Sequence, residues 1–215
     1  MTTEAAPVPA QRDWALLLGG GQGQRAGGPK ALKLVDGRPW WRLQCEAMLA
    51  DGLAPVAVLH PGAWLGGEPP QTAAAAGTNG DQAAICAVPS DPAEPAFCSL
   101  LRGLQALPSG CGTWMLPVDC PWPGAAALQP LLPAIGSGSF WAVVPVARAA
   151  DGRWRGGHPV WLSARAVAEL RSLTDLARTE GRLDEWLRRR TTEVARIAVA
   201  DAAVLANYNL DGTSR

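Results

Sequence analysis

The chain has 215 residues, 48% of them hydrophobic, and its 19 basic residues are balanced by 19 acidic ones. That length suits one domain with a sizeable core. The zero net charge removes any global field that would draw the molecule to nucleic acid or to an anionic membrane, so a site for a polyanion has to be local.

Residues 1–12 are rich in Ala, Pro and Thr and lack a basic segment followed by an apolar one, so they read as a disordered tail rather than a signal. No uninterrupted apolar run reaches membrane-spanning length. The five cysteines, Cys45, Cys86, Cys98, Cys111 and Cys120, are scattered and odd in number, without a C-x-x-C pair. This argues against a zinc cage or a disulfide framework and for a reducing, cytoplasmic setting.

The apolar run Trp14 to Leu18 predicts a buried strand. It leads into Gly19-Gly20-Gly21-Gln22-Gly23-Gln24-Arg25-Ala26-Gly27-Gly28-Pro29-Lys30-Ala31-Leu32, whose glycines let backbone N–H groups approach phosphate oxygens while Arg25 and Lys30 add two cations. Arg38 to Asp51 follows at helical spacing, ending before Gly52, and Pro55 to Leu59 is the next strand. The stretch 61–81 is a long connection with a candidate short helix at Thr72 to Ala76 and no assigned function.

Further along, the pattern predicts a strand over Ala84 to Val88, a helix over Phe97 to Leu107, a strand over Thr113 to Val118, a helix over Ala125 to Ile135 and a strand over Phe140 to Val146. Asp151 to Leu162 reads as a hairpin or an extended excursion beside the sheet. Two helices near Ala164 to Leu173 and Gly181 to Arg190 precede a half-exposed strand over Glu193 to Val199. This alternation predicts a single α/β domain over 13–211, with a mostly parallel central sheet flanked by helices, and a tail over 212–215.

Three phosphate-binding geometries compete for the glycine loop, and spacing separates them. A Walker A loop needs Gly-Lys-Ser/Thr, but Pro29 separates Gly28 from Lys30 and Ala31 follows. A dinucleotide fingerprint, Gly21-x-Gly23-x-x-Ala26, needs a helix at once and an acidic ribose ligand at the end of the next strand; Gly27-Gly28-Pro29 breaks that helix, and the strand ends at Leu59-His60. The third geometry is a long loop wrapped around a triphosphate, with Lys30 near the α-phosphate.

This last pattern, Leu-x-Gly-Gly-x-Gly-x-Arg-x-Gly-Gly-Pro-Lys-Ala-Leu, resembles the signature of the MobA-like NTP transferases, which include guanylyl- and cytidylyltransferases of molybdenum cofactor synthesis. Other landmarks resemble the family in order. They are Ser99-Leu100-Leu101-Arg102-Gly103-Leu104, the strand-end Asp119-Cys120-Pro121, the turn Gly156-Gly157-His158-Pro159, and the closing Asn207-Tyr208-Asn209-Leu210-Asp211. Pro89-Ser90-Asp91-Pro92 in place of Asn-Pro, Phe97-Cys98 before the serine and Leu210-Asp211 in place of Thr-Pro depart from the pattern.

The resemblance implies a Rossmann-like nucleotide-diphospho-sugar transferase (GT-A-like) fold. It implies a Mg²⁺-dependent nucleotidyltransferase that moves NMP from an NTP, with CTP or GTP favoured, to a small phosphorylated acceptor with release of pyrophosphate, molybdopterin being the family's favourite. It places Leu18, Gly19, Gly20, Gly21, Gly23, Arg25, Lys30 and Ser99 on the nucleotide, Asp119 and Asn209 on the metal, and Gly157 and His158 at the acceptor. Arg25, Lys30 and Asp119 become the catalytic candidates. Trp122, just beyond Asp119, is a candidate for stacking on a flat acceptor. A sugar-phosphate nucleotidyltransferase and a non-catalytic nucleotide-binding domain of the same fold are the alternatives. No membrane or nucleic-acid partner is implied.

Overall fold

The computed structural model describes residues 13–23, 27–64, 85–173, 182–209 and 213–214. The expected tail over 1–12, the candidate helix at Thr72 to Ala76, Arg25 and Asp211 lie outside the described residues.

Strand β1 (Trp14–Gly19) is buried on both faces, as its uninterrupted apolar sequence requires. Leu16 points into one core cluster and Ala15 and Leu17 into the other. A short hairpin of β2 (Leu34–Val35) and β3 (Arg38–Pro39) then leads into helix α1 (Trp40–Ala50), which buries Gln44, Cys45 and Met48. The helix starts two residues later than its spacing suggests, because Pro39 belongs to the hairpin and serves as the N-cap.

Strand β4 (Ala54–Leu59) pairs parallel with β1, and β5 (Cys86–Pro89) pairs parallel with β4. Helix α2 (Ala96–Ala106) carries Phe97, Leu100, Leu101 and Leu104 on one buried stripe and brings the chain back to β6 (Thr113–Pro117), which pairs parallel with the opposite side of β1. The expected helix over Ala125 to Ile135 is broken into α3 (Ala125–Leu128), a 3₁₀ turn (Gln129–Leu131) and α4 (Leu132–Gly136). Pro130 and Pro133 lack the N–H groups that a continuous helix would need.

Strand β7 (Ala142–Arg148) is followed by β8 (Trp154–Gly156) and β9 (Val160–Leu162), both antiparallel to it. Helices α5 (Ala164–Ser172) and α6 (Leu183–Arg188) then lead to β10 (Val194–Ala198), parallel to β7 at the edge. The sheet has eight strands in the order β10-β7-β9-β6-β1-β4-β5, with β8 on β7. Of the two readings of Asp151 to Leu162, the hairpin holds for β8, which folds back on β7, while β9 lies within the sheet, bridging β6 and β7. The other six strands share one direction, so the sheet is mostly parallel.

Two apolar clusters, one on each face, hold helices against this sheet. β11 (Tyr208–Asn209) pairs antiparallel with β12 (Thr213–Ser214). Among the described residues, no helix is long and apolar enough to cross a membrane.

Candidate active site

From β1 the chain crosses over to β4 on one side, and later returns to β6 on the other. The carboxyl ends of the paired strands β1 and β6 therefore lie at a topological switch point, where open α/β sheets bind ligands. The glycine loop leaves β1 here, and Asp119 leaves β6 here.

Each arm is fixed locally. A Cβ on Gly20 would lie 2.4 Å from Ser90 Cβ and 3.0 Å from Ser99 Oγ, so the backbone approach there requires glycine. Ser90 Oγ–H donates to the Gly20 carbonyl at 3.1 Å, and Gln22 Nε2–H to the Pro92 carbonyl at 2.9 Å. Gly23 has φ +60 and accepts from Gly28 N–H at 3.1 Å, which closes the loop on itself. Gly21 is exposed. Ala31, fully buried against Gly19, anchors the 3₁₀ turn Lys30–Leu32 from which the Lys30 side chain projects.

On the other arm, Val118 N–H donates to Leu18 O at 2.9 Å, continuing the β1–β6 pairing, and Cys120 N–H closes a turn on Pro117 O at 3.0 Å. Asp119 sits in that turn. Lys30 Nζ donates to its Oδ2 at 3.2 Å, with side-chain exposures of 21% and 28%. The fold has therefore brought together a cation and a carboxylate 89 positions apart. Tyr208 N–H donates to the Asp119 carbonyl at 2.7 Å, so β11 brings the Asn209 backbone beside the same turn.

These donors fit magnesium. The described residues hold no group of three or more His, Cys, Asp or Glu able to cage a metal, and Mg²⁺ typically takes one or two carboxylates while substrate phosphates and water complete its shell. Cys120, next to Asp119, is buried, and this burial together with the Asp119 charge pushes its thiol up to about 12, leaving it neutral.

His158 lies across the switch point. Its N–H donates to Val204 O, and the Gly157 N–H to Pro145 O, each at 2.8 Å. Its Nδ1 is buried without a hydrogen-bond partner among the described residues. Burial holds the imidazole below its ordinary range, against the pull of the Asp119 carboxylate, which favours the charged form. A cleft of about 740 Å³, lined by Leu18, Phe97, Leu100, Pro117, His158 and Leu187, opens here.

Ser99 is buried on α2 against the Gly20 bend. Trp122 is not brought to this group. Its indole is buried and its Nε1–H donates to Asp51 Oδ2 at 2.6 Å, beside Asp13, Leu53 and Trp114 near the amino ends of the strands. Sequence reasoning missed Ser90 and Gln44; the signals available were a hydroxyl residue between two prolines after a strand, and a polar residue in the apolar stripe of α1.

The profile of the MobA-like NTP transferase domain matches residues 15–194. No curated protein matches the chain. Among solved structures, Rv0371c from Mycobacterium tuberculosis H37Rv is 21% identical over 93% of this chain and 94% of its own, with a TM-score of 0.61. The 2-C-methyl-D-erythritol 4-phosphate cytidylyltransferase from Thermus thermophilus is 20% identical over 90% and 91%, also at 0.61. A nucleotidyl transferase from Methanothermobacter thermautotroptrophicus is 19% identical over 93% of each chain, at 0.60. The extent of the profile match, over the same strand-loop and strand-end landmarks that build the switch-point site, makes this chain a member of the MobA-like NTP transferase family and a nucleotidyltransferase.

Proposed function

We propose that the enzyme transfers NMP from CTP or GTP to a small phosphorylated acceptor, with molybdopterin favoured, in a Mg²⁺-dependent reaction. An acceptor phosphate oxygen attacks the α-phosphorus in line; the bond from that phosphorus to the bridging oxygen breaks, and pyrophosphate leaves. Catalysis of this kind rests on positioning and on stabilising charge, with little covalent work for the protein. The observation that carries the reading is the Lys30–Asp119 pair at 3.2 Å between the segments that follow β1 and β6.

In this reading Gly19 to Gly23 present backbone N–H groups to the triphosphate, with Arg25 as a further cation from the same loop, and Ser99 supports the bend at Gly20. Lys30 exchanges its carboxylate partner for α-phosphoryl oxygens and stabilises the charge that builds there. Asp119, with Asn209 beside it, would hold magnesium, which when bound neutralises phosphate oxygens and the departing pyrophosphate. His158, uncharged by virtue of its burial, offers the acceptor a hydrogen bond without adding a competing cation, and Gly157, where a Cβ would lie 2.4 Å from Val204 O, lets the Val204 backbone pack behind it.

Two of the fold neighbours, from Thermus thermophilus and Francisella tularensis, are 2-C-methyl-D-erythritol 4-phosphate cytidylyltransferases, which makes a sugar phosphate the second acceptor class. Pyrophosphate release with Mg²⁺, measured for each NTP against molybdopterin and a panel of sugar phosphates, tests both. Acceptor-dependent release from CTP or GTP is expected. Release from no NTP, under conditions in which a control transferase turns over, overturns the proposal.

A further inference from the structure

Asp119 has to present its carboxylate in one direction although it sits in a turn, beyond the end of the β6 ladder. The side chains that hold the main chain on either side of it come from α1. Trp40 Nε1–H donates to Val118 O at 2.6 Å. Gln44 spans the other side of Asp119: its Nε2–H donates to Cys120 O at 2.9 Å, and its Oε1 accepts from Trp122 N–H at 2.8 Å. The Gln44 side chain is 3% exposed and uses one amide to pair both main-chain groups, as a neighbouring strand would. An apolar residue of equal length would fill the same space. Only an amide both donates to Cys120 and accepts from Trp122.

We propose that Gln44 is a positioning residue for the metal-binding carboxylate. By fixing the peptide groups one and three residues beyond Asp119, it sets the direction of that carboxylate and hence the affinity for the divalent cation. The inference rests on the reading of Asp119 as a metal ligand. Groups that orient a ligand from outside its coordination sphere typically contribute about 10- to 100-fold in metal affinity or activity. Gln44 acts through the main chain, so the lower end is expected.

The test is Mn²⁺ binding to the full chain with an α,β-methylene analogue of CTP or GTP, followed by loss of the free-ion EPR signal, together with a thermal melt of each variant. Gln44→Met keeps the length and removes both hydrogen bonds; its Mn²⁺ Kd should rise about tenfold. Asp51→Ala is the control for a merely structural role. It removes the acceptor of Trp122 Nε1–H and Ala125 N–H further along the same segment, so it should lower Tm but leave the Mn²⁺ Kd unchanged.

If Gln44→Met does not fold, Gln44→Leu, which likewise offers neither donor nor acceptor, carries the test, with the same rise of about tenfold expected. An unchanged Kd in the folded Gln44 variant overturns the proposal, as does an equal rise in Asp51→Ala. Asp119→Asn separates the two levels. Wild-type Mn²⁺ binding in that variant removes the metal-ligand reading itself, whereas lost binding there with normal binding in the Gln44 variant refutes Gln44 alone.

Discussion

Removing the Lys30 ammonium should separate rate from stability. In the fold, Lys30 Nζ lies 3.2 Å from Asp119 Oδ2, and the two side chains are 21% and 28% exposed. A partly exposed ion pair of this kind contributes about 0–1 kcal/mol to folding, so Lys30→Ala should shift the unfolding free energy by less than about 1 kcal/mol. The transition state is a different matter. A cation about 4 Å from a phosphoryl oxygen interacts by roughly 4 kcal/mol at an effective dielectric near 20, against roughly 1 kcal/mol in bulk water. Loss of one preorganised electrostatic donor typically costs about 10²- to 10³-fold in kcat, and Lys30→Ala should fall in that range. The assay is steady-state pyrophosphate release at saturating NTP, Mg²⁺ and acceptor, beside a urea denaturation curve for each protein. A kcat within about threefold of wild type would refute the electrostatic role. So would a rate loss that merely tracks the fraction unfolded.

Gly20→Ala places a Cβ 2.4 Å from Ser90 Cβ; overpacking of this kind costs about 1–3 kcal/mol, and kcat/KM for the NTP should fall about tenfold or more, checked by the same release assay and a thermal melt. Trp122→Phe removes the indole N–H from Asp51 and should lower stability by about 1–3 kcal/mol, while the acceptor KM, measured by product formation, stays near wild type; a large rise in KM would return Trp122 to the site. His158 contributes a pH dependence: its folded pKa is depressed below 6.5, so the unfolded chain takes up a proton that the fold resists. That contribution is complete above about 6.5 and is lost as pH falls through 6.5 toward the folded value. Denaturation midpoints across this window should fall less steeply for His158→Gln than for wild type.

The parts of the site legible in the sequence are those in which local chemistry carries the information. The glycine spacing and Pro29 before Lys30 exclude a helix and leave a loop, and the strand-end position of Asp119 follows from the apolar run before it. The β-loop-α-β order is written in the periodicity. What stayed hidden depends on partners distant in sequence. Val160–Leu162 is too short an apolar run to reveal that it bridges β6 and β7. Trp122 stands near Asp119 in the chain, but Asp51 and Gln44, more than 70 positions earlier, turn it away. The break in the helix over 125–135 was in principle readable, since Pro130 and Pro133 are visible, but the apolar spacing across them is that of a continuous helix.

One helix registers the two arms of the site. The chain reaches α1 directly from the Lys30 turn, where Trp40 N–H donates to Lys33 O at 2.9 Å. The same Trp40 bonds Val118 O, and Gln44 bonds Cys120 and Trp122. The other side of the Trp40 ring meets Tyr208, with centroids 6.1 Å apart, and Tyr208 N–H in turn holds the Asp119 carbonyl. Lys30 and Asp119 are therefore joined by a short path of packed groups as well as by their own ion pair. If Lys30 turns to a phosphate as proposed, the ion pair is lost but this path remains, so the carboxylate would keep its place while the cation changes partner. An exposed salt bridge on two independent loops would have no such memory of position. For a reaction that depends on orientation more than on covalent chemistry, that difference determines whether the site is assembled before the nucleotide arrives.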